Sequence, residues 1–237
     1  MTVATLLKTT RAQLKAAADP KFAEGLRWFF KEPVKPYGVR TPQVRELARL
    51  AYRELKSWPA ADRDRFAAEL WKSGMLEEGV LVTHVYRRFA KSCDVREFQM
   101  FEQWLDKYVA NWSHCDGVST WLIAASIANR PELVSRLPPW TKSKNRWKRR
   151  SAAVSLIQEA KQGRNIATIC RICDLLLNDP DDMVQKGVGW LLKETYPRRP
   201  EEVLAFLGPW KSRAPRRVLR LAAEKMTEED RRRLLKG

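Results

Sequence analysis

The chain has 237 residues, 44% of them hydrophobic and 10% aromatic, so it can bury a sizeable core although 31% are charged. Lys and Arg number 45 against 28 Asp and Glu, a net charge of +17, and a surface that positive is expected to meet a polyanion, nucleic acid first. No apolar run approaches the roughly 18 residues that cross a bilayer. The start "MTVATLLKTTRAQLK" is too short in apolar length, and lacks the small-residue cleavage site, to be a secretory signal. The expectation is a cytoplasmic protein with no membrane partner, because its cations are spread along the chain and not gathered into one anchor.

Almost every segment carries apolar residues at three- and four-residue spacing, while strand alternation and hairpin dipeptides are missing, so the expected fold class is all-α. In "GLRWFF" Trp28 reads as a core residue. In "TPQVRELARLAYREL" Thr41 stands as N-cap with Pro42 at the first helical position. His84 falls on the apolar face of "VLVTHVYRRF" and reads as structural. "DVREFQMFEQWLDKYV" is a further amphipathic helix, and Trp140 and Trp147 read as packing residues. Cys170 and Cys173 form a lone CxxC in "ATICRICDLLL". Cys93 and Cys115 are the other cysteines and His84 and His114 the only histidines, so two small core residues one turn apart fit better than a metal or redox site. "DPDDMVQKGVGWLLKE" opens with Asp179 as N-cap, then Pro180 and two acids suited to a helix dipole. The end, "KSRAPRRVLR" and "EEDRRRLLKG", is basic, and no linker divides residues 1–237, so one domain is expected.

A repeat runs through these helices. Aligned on Gly79, Gly117, Ser151 and Gly187, they recur at intervals of 38, 34 and 36 residues, each followed by a loop and a second helical stretch. Helix pairs at that period predict a HEAT-like solenoid, a curved superhelix with a basic concave groove; an irregular helical bundle is the alternative. In this register Glu78, Asp116, Arg150 and Lys186 precede the small residues and are expected to turn toward one face.

The stretch "VANWSHCDGVSTWLIAAS" is where chemistry is expected. Trp112 and Asp116 lie four residues apart, hence one turn apart on one helix face, and Trp190 lies four residues after Lys186. Adjacent residues on a helix do not face each other, so His114 and Cys115 do not make a nucleophilic pair. Indoles and cations suit a nucleic-acid backbone, through stacking and through phosphate attraction. A carboxylate there is repelled by phosphate, unless positive charge develops on a sugar as a glycosidic bond breaks. A structural salt bridge from Asp116 to Arg150 or Lys186 is the competing reading.

"NWSHCD", "NRWKRRSAAVSL", "VQKGVGWLLKE" and "YGVRTPQVRELAR" together resemble the AlkD-type DNA alkylation repair family, in order from about Lys21 to Tyr196. The resemblance implies a HEAT-like-repeat DNA glycosylase that removes N3- and N7-alkylated purines, 3-methyladenine and 7-methylguanine, from duplex DNA. These lesions are cationic and leave as neutral bases, so no general acid is needed. By resemblance Asp116 stabilises the sugar cation and positions water, Trp112 and Trp190 contact the deoxyribose, and Arg150 holds the backbone. Arg149, Lys148 and Lys186 are the neighbouring cations expected to bind DNA, with Trp28 or Tyr37 as the N-terminal aromatic that grips it. No cofactor and no metal are expected, and the chain is expected to act as a monomer. The alternatives are a non-catalytic HEAT-like protein that binds bent, branched or damaged nucleic acid, and a protein-interaction solenoid.

Overall fold

The computed structural model describes residues 1–236. In chain order its α-helices are α1 (Val3–Ala16), α2 (Pro20–Phe29), α3 (Thr41–Leu55), α4 (Ala60–Lys72), α5 (Leu76–Tyr86), α6 (Val95–Lys107), α7 (Trp112–Gly117) and α8 (Ala124–Asn129). They continue as α9 (Arg146–Val154), α10 (Ile157–Lys161), α11 (Ile166–Leu176), α12 (Asp182–Thr195), α13 (Pro200–Leu207), α14 (Arg216–Ala222) and α15 (Glu228–Leu235). The fold is all-α, and the described residues form no sheet; a single isolated bridge joins Lys35 to Met75. The chain divides into two compact units, Met1–Ser92 with Lys107–Gly117, and Cys93–Asp106 with the chain from Val118 onward.

In the N-terminal unit α3 packs on α5, α4 on α1 and α5, and α5 on α7. Val44, Ala48, Ala51 and Leu55 of α3 are buried, an i, i+4, i+7, i+11 stripe that reads directly from "TPQVRELARLAYREL". Gly79 is where α5 meets α7: a Cβ there would come within 2.5 Å of the His114 ring and of the Trp71 indole. His114 is buried, donates from Nε2 to the Leu76 carbonyl at 2.8 Å, and takes Asn111 Nδ2 at 3.2 Å on Nδ1. That tautomer follows because a carbonyl only accepts.

In the C-terminal unit α12 is flanked by α9 and α14, and α11 packs on α9, α12 and α13. Gly187 is the close-approach residue here, its would-be Cβ lying 3.3 Å from Arg150 Cγ and from Val154 Cγ1. The small residues of the repeat therefore have a physical reason, since each lets a neighbouring helix come near. At Ser151 the small side chain is itself used, accepting a hydrogen bond from Ser119 at 2.7 Å in the buried core.

Two helix starts differ from expectation. Thr41 is the first residue of α3 and makes no cap; Arg40 stands at the cap position and gives no side-chain bond. α12 is capped by Asp181, which accepts from the Met183 and Val184 amides, and not by Asp179. Asp179 is instead the partner of Arg149, which explains why a second acid precedes the cap. Trp140 and Trp147 are buried at 4% and 6% exposure, as packing residues should be. Cys173 is fully buried and Cys170 partly so; burial raises both thiols above their usual value, which suits inert core residues.

Candidate nucleic-acid interface

The N-terminal unit contributes the tryptophan and the acid. α7 is short, opening at Trp112 and closing at Gly117, and it is followed at once by a π-helical turn, Val118–Ile123. The sequence gives no warning of that turn. Asp116 is half-buried and Trp112 half-buried, so neither is shut inside the protein. Trp112 stacks on Phe30 with ring centres 5.2 Å apart and planes at 13°, and meets Phe29 edge-on at 6.1 Å. The indole walls a cavity of about 160 Å³ that Phe22, Leu26, Phe29 and Val80 also line.

Trp28 departs from its core reading: it is 89% exposed, and Phe29 beside it is 63% exposed. The reason is local. Three consecutive aromatics at the end of a helix cannot all face inward, because successive residues point about 100° apart. Phe30 takes the inward position at 7% exposure, and Trp28 is left in water. That "WFF" run was the missed signal for an aromatic surface next to Trp112.

Tyr37 has a different environment. Its hydroxyl donates to Glu78 Oε1 at 2.7 Å, and burial, then Glu78, pushes the phenol well above its usual value. Arg11 closes on the same carboxylate, with Nε 3.2 Å from both oxygens and Nη2 3.2 Å from Oε2. Glu77 next to it accepts the backbone amides of Tyr37, Gly38 and Val39 at 2.9, 2.8 and 3.0 Å. The "YGVR" segment is thus a loop held by two buried acids. Glu78 is fully buried, which corrects the expectation that it shares an open face with Asp116.

The C-terminal unit contributes the cations and the second indole. Arg150 is 5% exposed, lies against Gly187, and donates from Nη1 to the Met183 carbonyl. Arg149 forks onto Asp179 at 2.6 and 3.1 Å and donates to the Ser143 and Lys144 carbonyls. Lys148 contacts Asp106 at 2.8 Å and Glu102 at 3.1 Å; burial pulls its pKa down, but the two acids outweigh it and hold the ammonium charged. Both side chains are therefore engaged in internal ion pairs. Lys186 is more open, with 39% of its side chain exposed, its ammonium 3.7 Å from Asp182 and 3.8 Å from Met183 Sδ. Trp190, on the same helix, is half-buried.

Comparison with known proteins makes the class of this all-α protein specific. A family described as DNA alkylation repair enzyme matches residues 10–226, so the chain belongs to that family. Among solved structures, a predicted DNA alkylation repair enzyme from Enterococcus faecalis superposes with a TM-score of 0.79 at 14% identity, over 89% of this chain and 97% of that one. AlkD2 from Streptococcus mutans superposes with a TM-score of 0.60 at 20% identity, over 78% of this chain and 89% of that one. At such identities the likeness is one of fold. No curated protein matches the sequence.

Proposed function

We propose that the chain is a DNA glycosylase that hydrolyses the N-glycosidic bond of N3- and N7-alkylated purines in duplex DNA. The observation that carries this reading is Asp116: an acid that keeps solvent access one turn from Trp112, in a family of alkylation repair enzymes and in a chain of net charge +17. An anion at that point is unfavourable to bound phosphate and favourable to a sugar that turns cationic as the base leaves. Since an N3- or N7-alkylated purine already carries the positive charge, its departure as a neutral base needs no acid. The one histidine of this stretch, His114, is buried and held neutral by burial, its pKa pushed down to about 4.

In this reading Asp116 stabilises the oxocarbenium-like sugar and positions water, while Trp112 and Trp190 lie against the deoxyribose. Lys186 reaches the phosphate backbone from its half-exposed position, and Arg150 takes the backbone-holding role that the family resemblance implies. Arg149 and Lys148 serve instead to fix α9, and Trp28, not Tyr37, is the N-terminal aromatic that meets DNA.

The test is release of free base from methylated duplex DNA. Asp116→Asn is expected to lower 7-methylguanine release by about a hundredfold or more, with duplex affinity retained. Undiminished excision by that variant ends the assignment. A wild-type protein that binds the duplex and releases nothing belongs to the non-catalytic class of binder. Affinity is also expected to fall steeply with salt, by roughly a factor of ten for every two phosphates neutralised between 50 and 200 mM, and a flat response removes the backbone contacts.

A further inference from the structure

A cavity in the C-terminal unit is lined by none of Trp112, Asp116 and Trp190. It has a volume of about 360 Å³ and is lined by Leu204, Ala205, Gly208, Lys211, Arg233 and Leu234. α13 and the 3-10 turn Gly208–Trp210 form one side, and α15 forms the other. Leu234 is buried and Leu204 half-buried, so the floor is apolar; Lys211 and Arg233 stand at it with no acid among the lining residues.

Several neighbouring cations are already engaged. Arg231 and Arg232 each pair with Glu228, Arg216 donates to the Leu235 carbonyl, Arg213 lies over the Trp210 ring, and Arg217 is 3.7 Å from Asp182. No acid lies within ion-pair distance of Lys211 or Arg233 among the described residues. The family match ends at residue 226, before α15, which carries Arg233 and Leu234.

We propose that this cavity is a docking site for an acidic peptide segment of a partner protein, carrying one large apolar side chain. The chemistry selects that occupant. Two cations with no acid in ion-pair distance among the described residues call for an anion, and a floor of two leucines and an alanine calls for an apolar group beside it. A nucleic-acid backbone supplies the first and has no use for the second. A volume near the lower end of small-ligand sites, about 300 Å³ and above, holds a phenylalanine or leucine side chain with the backbone next to it. The site does not depend on the glycosylase reading.

Gly208 makes the test clean. It lines the cavity, its φ of −52° is open to any residue, and a Cβ built on it meets nothing within 4 Å, so a larger side chain enters the cavity without disturbing the fold. The probe is fluorescein-labelled Asp-Asp-Phe-Leu-Asp-Asp, followed by anisotropy on the full chain, with Asp-Asp-Ala-Ala-Asp-Asp as the control of equal charge. The expected result is binding of the first peptide, with affinity about tenfold lower for the alanine peptide, for Gly208→Leu and for Arg233→Glu. Gly208→Leu leaves the net charge unchanged, so its loss separates docking in the cavity from attraction to a basic surface. Equal binding of the two peptides, or undiminished binding to Gly208→Leu, overturns the proposal. So does competition by a DNA duplex that Gly208→Leu abolishes, which makes the cavity a nucleic-acid site, and so does binding that appears only as the protein self-associates, which makes the occupant the Glu228–Asp230 acids of a second copy.

Discussion

Glu78 and Asp116 occupy the same place in successive repeats, each just before a glycine, yet they have different surroundings. Glu78 is fully buried, with Arg11 and Tyr37 bonded to its carboxylate. Asp116 is half-buried on a helix that changes to a π turn two residues later. A repeat thus fixes where an acid sits along a helix and leaves open what the acid does. The difference comes from what arrives from elsewhere in the chain: α1 brings Arg11 and the loop before α3 brings Tyr37 to the first acid.

Four perturbations separate the two positions, taken from the largest expected effect. Asp116→Asn is expected to lower excision by about a hundredfold or more without changing the urea midpoint, because a half-buried acid that works on substrate contributes little to folding. A midpoint shifted as far as that of a core variant would make Asp116 structural instead. Glu78→Ala is expected to do the reverse. It removes the carboxylate from the Arg11 guanidinium, which keeps only the Glu69 carbonyl, and from the Tyr37 hydroxyl, and costs about 3 kcal/mol of stability. The figure is set at the lower end for a broken pair because 36% of the Arg11 side chain stays in water. Stability equal to wild type in denaturant titration would show that the pair is no more than a surface contact.

Acid tests the same neighbourhood through the two histidines. Burial pushes His114 down to about 4 against the opposing hydrogen bond to Leu76, and burial, then Arg45, Arg87 and Arg88, pushes His84 down to about 4. Each therefore folds neutral, while an unfolded imidazole takes a proton near pH 6.5. The unfolded state binds more protons between these values, so stability is complete above about pH 6.5 and is lost as pH falls toward 4, by about 2 kcal/mol per imidazole between pH 7 and pH 5. Urea unfolding at those two pH values measures it, and a level profile would mean that water reaches both rings. The smallest effect is at Gly79. A methyl group there meets His114 and Trp71 at 2.5 Å, and Gly79→Ala is expected to cost about 1–3 kcal/mol through strain. An unchanged melting curve would show that α5 and α7 have room to part.

Local patterning carried much of this protein into view. The apolar stripe of α3, the glycines that recur near 36-residue spacing and the excess of cations all rest on neighbours in sequence, and each reappears as burial, close helix approach or surface charge. The resemblance carried by segments such as "NWSHCD" and "VQKGVGW" led to the family whose model matches residues 10–226. The cations were less readable. Lys148 and Arg149 look like free charges in "NRWKRRS", but their partners Glu102, Asp106 and Asp179 lie 30 or more residues away.

Sequence by itself determined the helices, their period and the sign of the surface, since these follow from residue type and short-range spacing. Only the tertiary structure decided which charges were consumed and which stayed available. Burial of Glu78, pairing of Lys148 and Arg149, and exposure of Trp28 depend on distant segments that meet once the chain has folded. Charges compete for the nearest opposite charge in space, and no spacing rule along one helix reports that distance.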